Sequence, residues 1–120
     1  MSHQASHRFA HISPRKVRPL ADMVRGKLVD HALDLLRYQP DRGARLLERV
    51  IRSALGNARD ADHPQNRGKN VDVERLVLTG VAVDKGPRVK RVRPRARGMA
   101  YIVRKRMSHI SVTLNKLEDL

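Results

Sequence analysis

Residues 85–106 read KGPRVKRVRPRARGMAYIVRKR and contain no acidic residue. They include ten of the chain's 26 Lys and Arg residues, so they contribute +10 to a formal net charge of +14. A basic run of this kind is often a solvated face or a disordered tail. Such tails are poor in β-branched residues and lie at a terminus, whereas this run is internal and includes Val89, Val92, Ile102 and Val103. The composition therefore favours an ordered binding element.

The sequence on both sides of residues 85–106, called the arm below, alternates in the manner of β-strands. Residues 71–84 are apolar on both faces in the middle, so this strand is expected to be central in its sheet. Beyond the arm, Ile110, Val112 and Leu114 alternate with polar neighbours. Two strands separated by the arm predict an antiparallel hairpin with its turn near residues 94–98. Ten further residues of ladder would span roughly 33 Å at about 3.3 Å per residue, which is more than a packed core needs.

Three helices are predicted before the hairpin. The first starts at Ser13-Pro14, a favourable cap and first position, and ends near Gly26; Pro19 is expected to bend it or to separate its first turn. The second runs from an Asp30 cap to Tyr38, and the third covers about residues 40–59 with Pro40 as its first helical residue. The predicted buried faces are Val17, Leu20, Ala21 and Val24; Ala32, Leu33, Leu35 and Leu36; and Leu47, Val50, Ile51, Ala54, Leu55 and Ala58.

The remaining segments are predicted to be simpler. Residues 1–7 are expected to be a mobile end, residues 8–12 a short strand, and residues 60–70 a polar loop. Gly56 in the third helix is a candidate for close packing against a neighbour. The pattern as a whole predicts an α+β fold: three helices packed on a small three-stranded antiparallel sheet, with a long protruding basic β-hairpin.

Length and composition limit the possible functions. A chain of 120 residues fits one domain, 1–120, whose core cannot also cover the arm. The arm is therefore expected to contact a polyanion, with nucleic acid favoured over an anionic membrane surface. Residues 76–83, the longest apolar-rich run, are too few to span a bilayer, and residues 1–12 lack the apolar segment of a secretory signal. The absence of cysteine suits a reducing cytoplasm.

No catalytic motif is recognisable, and neither a metal ion nor a cofactor is expected. Three clusters are candidates for metal or catalytic sites: His3, His7 and His11 at helical spacing; Asp60, Asp62 and His63; and Asp72 with Glu74, which a nuclease could use to hold a metal. A solvated terminus, a solvated loop and ordinary strand-edge charges are the favoured explanations. With only Phe9, Tyr38 and Tyr101 as aromatic residues, stacking platforms for single strands are not expected. Arg-rich contacts to the backbone of folded nucleic acid are expected instead.

Six motifs occur in order and at fitting distances: residues 13–18 (SPRKVR), 25–27 (RGK), 53–58 (SALGNA), 84–87 (DKGP), 93–98 (RPRARG) and 108–110 (SHI). Together they resemble the large-subunit ribosomal protein L-twenty-two family in its bacterial or organellar form, over roughly residues 7–114. Pro19, Met99 and the length of residues 60–70 depart from the usual pattern. His109 matches the family motif and is expected to be a hydrogen-bonded strand histidine.

The resemblance implies a non-enzymatic constituent of the large ribosomal subunit, in the cytoplasm or an organelle, which binds ribosomal RNA and supports subunit assembly. Its implied partners are large-subunit ribosomal RNA, neighbouring ribosomal proteins near the exit tunnel, and the nascent peptide; no membrane is involved. The implied RNA contacts are Arg15, Lys16, Arg18, Arg25, Lys27, Lys85, Arg88, Lys90, Arg91, Arg93, Arg95, Arg97, Arg104, Lys105 and Arg106. The implied tunnel-lining tip is Lys90, Arg91, Val92, Arg93, Pro94, Arg95, Ala96, Arg97 and Gly98. A free-standing nucleoid or chromatin-type protein is the main rival interpretation.

Overall fold

A computed structural model of the chain describes residues 2–60 and 73–117. Three helices and a three-stranded antiparallel sheet of order β1-β3-β2 form the structure, so the predicted α+β class is confirmed. The elements are β1 Ser2–Ala10, α1 Pro14–Val24, α2 Val29–Arg37, α3 Arg42–Arg59, β2 Leu76–Pro94 and β3 Ala100–Lys116. Single turns of 3-10 helix, Val73–Arg75 and Ala96–Gly98, precede β2 and connect it to β3.

The helices follow the predicted apolar faces closely. All four residues predicted for α1 and all six predicted for α3 are buried, whereas in α2 Val29, Ala32 and Leu36 are buried and Leu33 and Leu35 are only half-buried. The core that they form with the sheet includes Ile110, Val112 and Leu114, as the alternation in β3 predicted. The other face of β3 carries His109, Ser111 and Thr113, which are half-exposed.

Three details of the helices differ from the predictions. α1 continues through Pro19 as one helix, which excludes the separate first turn but not the bend, because this exposed proline lies near the helix start and deprives only the Arg15 carbonyl of its usual donor. α2 starts at Val29, so Asp30 lies in its first turn instead of capping it. α3 starts at Arg42 after Asp41, with Pro40 outside the helix.

The glycine that permits close packing in α3 is Gly43, and the prediction for Gly56 was wrong. A Cβ on Gly43 would lie 3.3 Å from side-chain atoms of both Ile12 and Leu20, so this glycine lets the start of α3 approach the start of α1. A Cβ on Gly56 would meet nothing within 4 Å. The apolar neighbours of Gly56 along the helix suggested an interface, but Gly56 itself is exposed.

The amino-terminal segment is a strand instead of a mobile end. β1 pairs with β3 from Ser2 opposite Asn115 to Ala10 opposite Ser108. Its inward positions are occupied by His3, Ala5 and His7, of which His3 is buried. The strand was missed because histidine and alanine do not give the apolar alternation that identifies a half-buried strand.

The prediction that residues 71–84 form a central strand was also wrong. Residues 71 and 72 lie outside the described residues, β2 begins at Leu76, and β3 is the central strand. The outer edge of β2 is closed by the segment after α1: the Gly26 N–H donates to the Leu78 carbonyl at 2.8 Å, and the Leu78 N–H donates to the Lys27 carbonyl at 2.9 Å. Gly26 has φ +81°, which favours glycine and allows the chain to turn onto this edge. This cover explains why an edge strand is apolar on both faces.

Candidate nucleic-acid interface

The arm is a continuous antiparallel ladder that extends from the sheet. β2 and β3 remain paired from Arg88 opposite Arg106 to Pro94 opposite Ala100. The turn has left-handed backbone at Arg97 (φ 62°) and Gly98 (φ 72°), and the Arg95 N–H donates to the Met99 carbonyl at 2.6 Å. The predicted hairpin and the position of its turn are therefore confirmed. The described chain is 67 Å long and only 28 by 19 Å across.

A bulge separates the arm's ladder from that of the body. The pairing changes register between Lys85 and Arg88, which places Gly86 and Pro87 against the segment around Met107. A Cβ on Gly86 would lie 3.0 Å from the carbonyl carbon and oxygen of Met107. Only glycine permits this approach without displacing backbone. Residues 84–87 thus set where the arm leaves the body.

The two faces of the arm differ in chemistry. Directly paired residues share a face of an antiparallel ladder. One face carries two cation pairs near the body, Arg88 with Arg106 and Lys90 with Arg104, and an apolar end formed by Val92 with Ile102 and Pro94 with Ala100. Val92 and Ile102 are 68% and 55% exposed. The other face carries Val89 with Lys105, Arg91 with Val103 and Arg93 with Tyr101.

The charge of the arm is not balanced within the described part of the chain. None of its ten cations forms an ion pair with residues 2–60 or 73–117. Arg88 and Lys90 each lie directly opposite another cation, an arrangement that destabilises a ladder. Within the described residues, therefore, no acidic side chain offsets the repulsion among the arm's cations.

Two basic clefts flank the place where the arm joins the body, here called the root. The larger, of about 1030 Å³, lies between α1, α3 and β3, and its cationic lining residues are Arg15, Lys16, Arg42, Arg104, Lys105 and Arg106. The smaller, of about 210 Å³, lies on the other side, with Arg15, Arg18, Lys85, Arg88 and Arg106. Arg15 and Arg106 line both clefts. The root thus brings together predicted contacts from distant parts of the sequence, and Arg42, which sequence reasoning missed, joins them from the start of α3.

Not every predicted body contact is free to face a ligand. The guanidinium of Arg18 donates to the Val83 carbonyl through Nε and Nη2, at 3.3 and 3.2 Å. Arg25 Nη2 donates to the Val81 carbonyl at 2.6 Å, and its Nη1 pairs with Asp22 at 2.6 Å. These two arginines close the outer edge of β2 beyond the Gly26 and Lys27 contacts. Arg15, Lys16 and Lys27 are exposed.

His109 has the hydrogen bond that was expected of it. Its Nδ1 accepts the backbone N–H of Phe9 at 3.0 Å. The two rings lie edge to face, with centroids 4.9 Å apart and planes at 88°. His109 therefore links β1 to β3 at the point where β1 ends.

Of the three candidate clusters in the sequence, only the histidines lie wholly within the described residues. His3, His7 and His11 are not on a helix, since β1 is extended and His11 lies beyond its end. Within residues 2–60 and 73–117 there is no group of three His, Cys, Asp or Glu side chains that could hold a metal ion. Asp62, His63 and Asp72 lie outside the described residues. Among the helices of the described part, none is long and apolar enough to cross a membrane.

Fold and charge together define a class: small basic architectural proteins that extend a cationic arm from a packed body. Residues 5–115 match the family model described as "Ribosomal protein L22p/L17e". The chain is 56% identical to the large ribosomal subunit protein uL22 of Rhodopirellula baltica over 116 residues, covering 97% of this chain and 96% of the relative. The proteins of the same name from Desulfosudis oleivorans and Caldicellulosiruptor saccharolyticus are 47% and 43% identical, over 92% and 95% of this chain and 90% and 88% of theirs.

The chain belongs to this ribosomal protein family and is a structural, non-enzymatic constituent of the large ribosomal subunit. Ribosomal RNA and other ribosomal proteins are therefore its surroundings. The resemblance inferred from the six motifs is confirmed, and the free-standing nucleoid protein is set aside.

Proposed function

We propose that the chain binds large-subunit ribosomal RNA through its arm and root, supports subunit assembly, and lines the nascent-peptide exit tunnel with its tip. The observation that carries the proposal is the arm's unbalanced charge: ten cations, two directly opposed cation pairs and no ion pair to the described residues. Folded RNA supplies phosphates on several sides of a narrow ladder, and release of their counterions favours binding.

The root clefts have the properties expected of backbone contacts. Their cations come from α1, α3, β2 and β3, so a phosphate chain lying in either cleft would contact several elements at once. Arg suits such contacts because its planar guanidinium can bind a phosphate through two parallel hydrogen bonds. Simultaneous contact with several elements would fix the body's orientation on RNA. We further propose that chain 1–120 forms one domain, with residues 85–106 as its extension.

The apolar end of one arm face supports the assignment of the tip. Val92, Ile102, Pro94 and Ala100 offer no charge to phosphate, whereas Arg91 and Arg93 lie on the other face. An arm held in RNA by its other cations would therefore present the uncharged part of this face to the tunnel. Neighbouring ribosomal proteins and the nascent peptide would be the partners there, on ribosomes of the cytoplasm or an organelle.

Sedimentation of a cell lysate tests the RNA-binding part. We expect the protein to remain with large subunits through a high-salt wash, because many cations distributed over arm and root must dissociate together. A variant in which Arg88, Lys90, Arg104 and Arg106 are all replaced by Gln should be washed off at lower salt. Recovery of the unchanged protein mainly in the soluble or chromosomal fraction would overturn the proposal.

A cross-linking experiment tests the tip. The chain has no cysteine, so Met99→Cys introduces a single thiol beside the turn. A photoactivatable maleimide on this thiol should cross-link to the nascent peptide in stalled translation complexes. The same label introduced by Tyr38→Cys, on the exposed carboxyl end of α2, is the matched control and should not react with the peptide. Equal labelling from both positions, or none from Met99→Cys, would contradict tunnel lining.

A further inference from the structure

The end of β1 contains a bulge that places an aromatic ring in an unusual position. After His7 pairs with Ile110, the next pair is Ala10 with Ser108, so Arg8 and Phe9 together lie opposite His109. Phe9 has φ 59°, in the left-handed region. For a bulky residue this backbone conformation is a genuine outlier, and such outliers concentrate at functional sites.

The bulge keeps Phe9 out of the core. In an unbroken ladder Phe9 would lie opposite Ser108 and face the helices, but Ala10 takes that position and is fully buried. Phe9 is instead 51% exposed. The fold thus forgoes burial of its single phenylalanine and holds the ring outside with a strained backbone.

The groups around Phe9 suit a ligand that has a planar ring and carries a negative charge close to that ring. The Arg8 guanidinium carbon lies 5.5 Å from the centroid of the Phe9 ring. Because His109 Nδ1 accepts the Phe9 N–H, the proton of the neutral imidazole is on Nε2, which makes no hydrogen bond within the described residues. An exposed aromatic ring, a guanidinium and a ring N–H donor therefore occur side by side.

Sequence neighbours of this group line the larger root cleft. His11, two residues after Phe9, lines that cleft, and so does Met107, two residues before His109. A nucleic-acid strand with phosphates in the cleft would therefore contact residues two positions from Phe9 and from His109. We propose that Phe9, with Arg8 and His109, forms a stacking site for one unpaired nucleobase of large-subunit ribosomal RNA. A single such site is compatible with the scarcity of aromatic residues, since one base can fix the register of a contact whose affinity comes from phosphates.

The proposal rests on the proposed RNA binding, and affinity measurements separate the two. We expect Phe9→Leu to weaken binding to large-subunit ribosomal RNA transcribed in vitro by about five- to a hundredfold, the effect of losing one stacked base. The log-log dependence of affinity on salt should keep its slope, because no charge is lost. Phe9→Tyr should retain the affinity of the unchanged protein.

A second variant distinguishes stacking from folding. Phe9→Gly removes the ring and also relieves the left-handed backbone, so this protein should melt no lower than the unchanged one while binding RNA as weakly as Phe9→Leu. If Phe9→Leu and Phe9→Gly both bind with unchanged affinity and a normal salt slope, the stacking site is refuted and the electrostatic interface stands. A flat salt dependence of the unchanged protein would instead refute the proposed RNA interface.

Fluorescence provides a direct test of the ring's environment. The chain has no tryptophan, so Phe9→Trp introduces a single indole at the site. Addition of the ribosomal RNA alone should quench its emission, as base stacking does, while the indole of the control variant Tyr38→Trp should change little. If the RNA binds with the expected salt dependence but the emission of the indole at position 9 is not quenched, the proposal is overturned. Quenching that requires added ribosomal proteins would also overturn it, because the ring would then face protein.

Discussion

The same two strands, β2 and β3, build both the body and the arm, and only their surroundings differ. In the body Ile110, Val112 and Leu114 lie under the helices and are fully buried. In the arm Val92 and Ile102, also apolar and directly paired, remain mostly exposed. The backbone ladder continues through both regions, but an isolated two-stranded ribbon is only marginally stable in water. The body is therefore stabilised by its own second layer, and the arm depends on a layer that RNA is proposed to supply.

Arginine has different partners in the two regions. In the body Glu48 is buried between Arg45 and Arg52, with N–O distances of 2.6 and 3.6 Å, and Arg45 also donates to backbone carbonyls at the end of α2. In the arm the arginines have no acidic partner among the described residues. These body arginines thus have acidic and carbonyl partners within the chain, whereas among the described residues the charge of the arm arginines is not paired with an acid.

The largest expected difference between the regions is in the effect of removing apolar atoms. Ile51→Ala in α3 should lower the free energy of unfolding by about 2–5 kcal/mol, because it leaves a cavity in a packed core. Ile102→Ala in the arm makes the same chemical change and should alter it by no more than about 0.5 kcal/mol. Urea denaturation followed by circular dichroism measures both. Similar losses for the two variants would mean that the arm has a core of its own.

The root should be the next most sensitive place. Gly86→Ala introduces a Cβ 3.0 Å from the Met107 backbone and should cost about 1–3 kcal/mol through overpacking. Gly56→Ala is the matched control, because its Cβ meets nothing within 4 Å and alanine favours a helix by about 0.8–1 kcal/mol over glycine. The same denaturation experiment should therefore give opposite signs. If Gly86→Ala is also stabilising, the close approach at the root is not as described.

A smaller effect on stability is expected at the edge of β2. It distinguishes a cation that bonds to the chain from a cation that is exposed. Arg18→Gln removes the donor to the Val83 carbonyl and should lower the free energy of unfolding by about 1 kcal/mol. Lys16→Gln removes the same charge from the same helix and should leave stability nearly unchanged. Measured against RNA, Lys16→Gln should lower the salt slope by roughly 0.7–0.9. If the two variants are equally stable, the hydrogen bond from Arg18 does not stabilise the fold, and Arg18 is as free as Lys16 to contact RNA.

The smallest expected effect concerns the arm in the absence of RNA. Arg106→Glu places an acid directly opposite Arg88 and should stabilise the ladder by about 0.2–1 kcal/mol. Hydrogen exchange of arm amides in the free protein should slow accordingly, while affinity for ribosomal RNA falls. Faster or unchanged exchange would show that like-charge repulsion does not limit the order of the arm.

Much of this contrast was predictable from the sequence, because it depends on local patterns. Helical periodicity identified the buried faces of α1 and α3, and charge with β-branched content identified the hairpin and its turn. The strand order was not predictable in the same way. Residues 76–78 are apolar because Gly26 and Lys27 cover the edge of β2, a contact between segments about 50 residues apart that gives no periodic signal.

The sequence predicts which residue types form the basic interface, but it does not predict which of these residues lie close together. The cations of the arm and of α1 were expected to bind RNA, yet only the fold brings Arg15 and Arg42 to Arg106 in one cleft. Likewise, the sequence does not distinguish Arg18, whose guanidinium bonds to a strand carbonyl, from the exposed Lys16 two residues earlier. The role proposed for Phe9 could not be predicted from the sequence, because it depends on a bulge that is set by the register between β1 and β3.

The decisive measurement is the salt dependence of RNA binding, compared between the full chain and a variant with a shortened arm. Residues 91–103 can be replaced by Asn-Gly between the paired Lys90 and Arg104, since this dipeptide closes a two-residue hairpin. If all ten arm cations contact phosphate, they alone contribute about −7 to −9 to the log-log slope of the full chain, and the loss of four of them reduces the magnitude of the slope by about 3 to 4. Equal slopes for the two proteins would contradict the claim that the arm is completed by RNA.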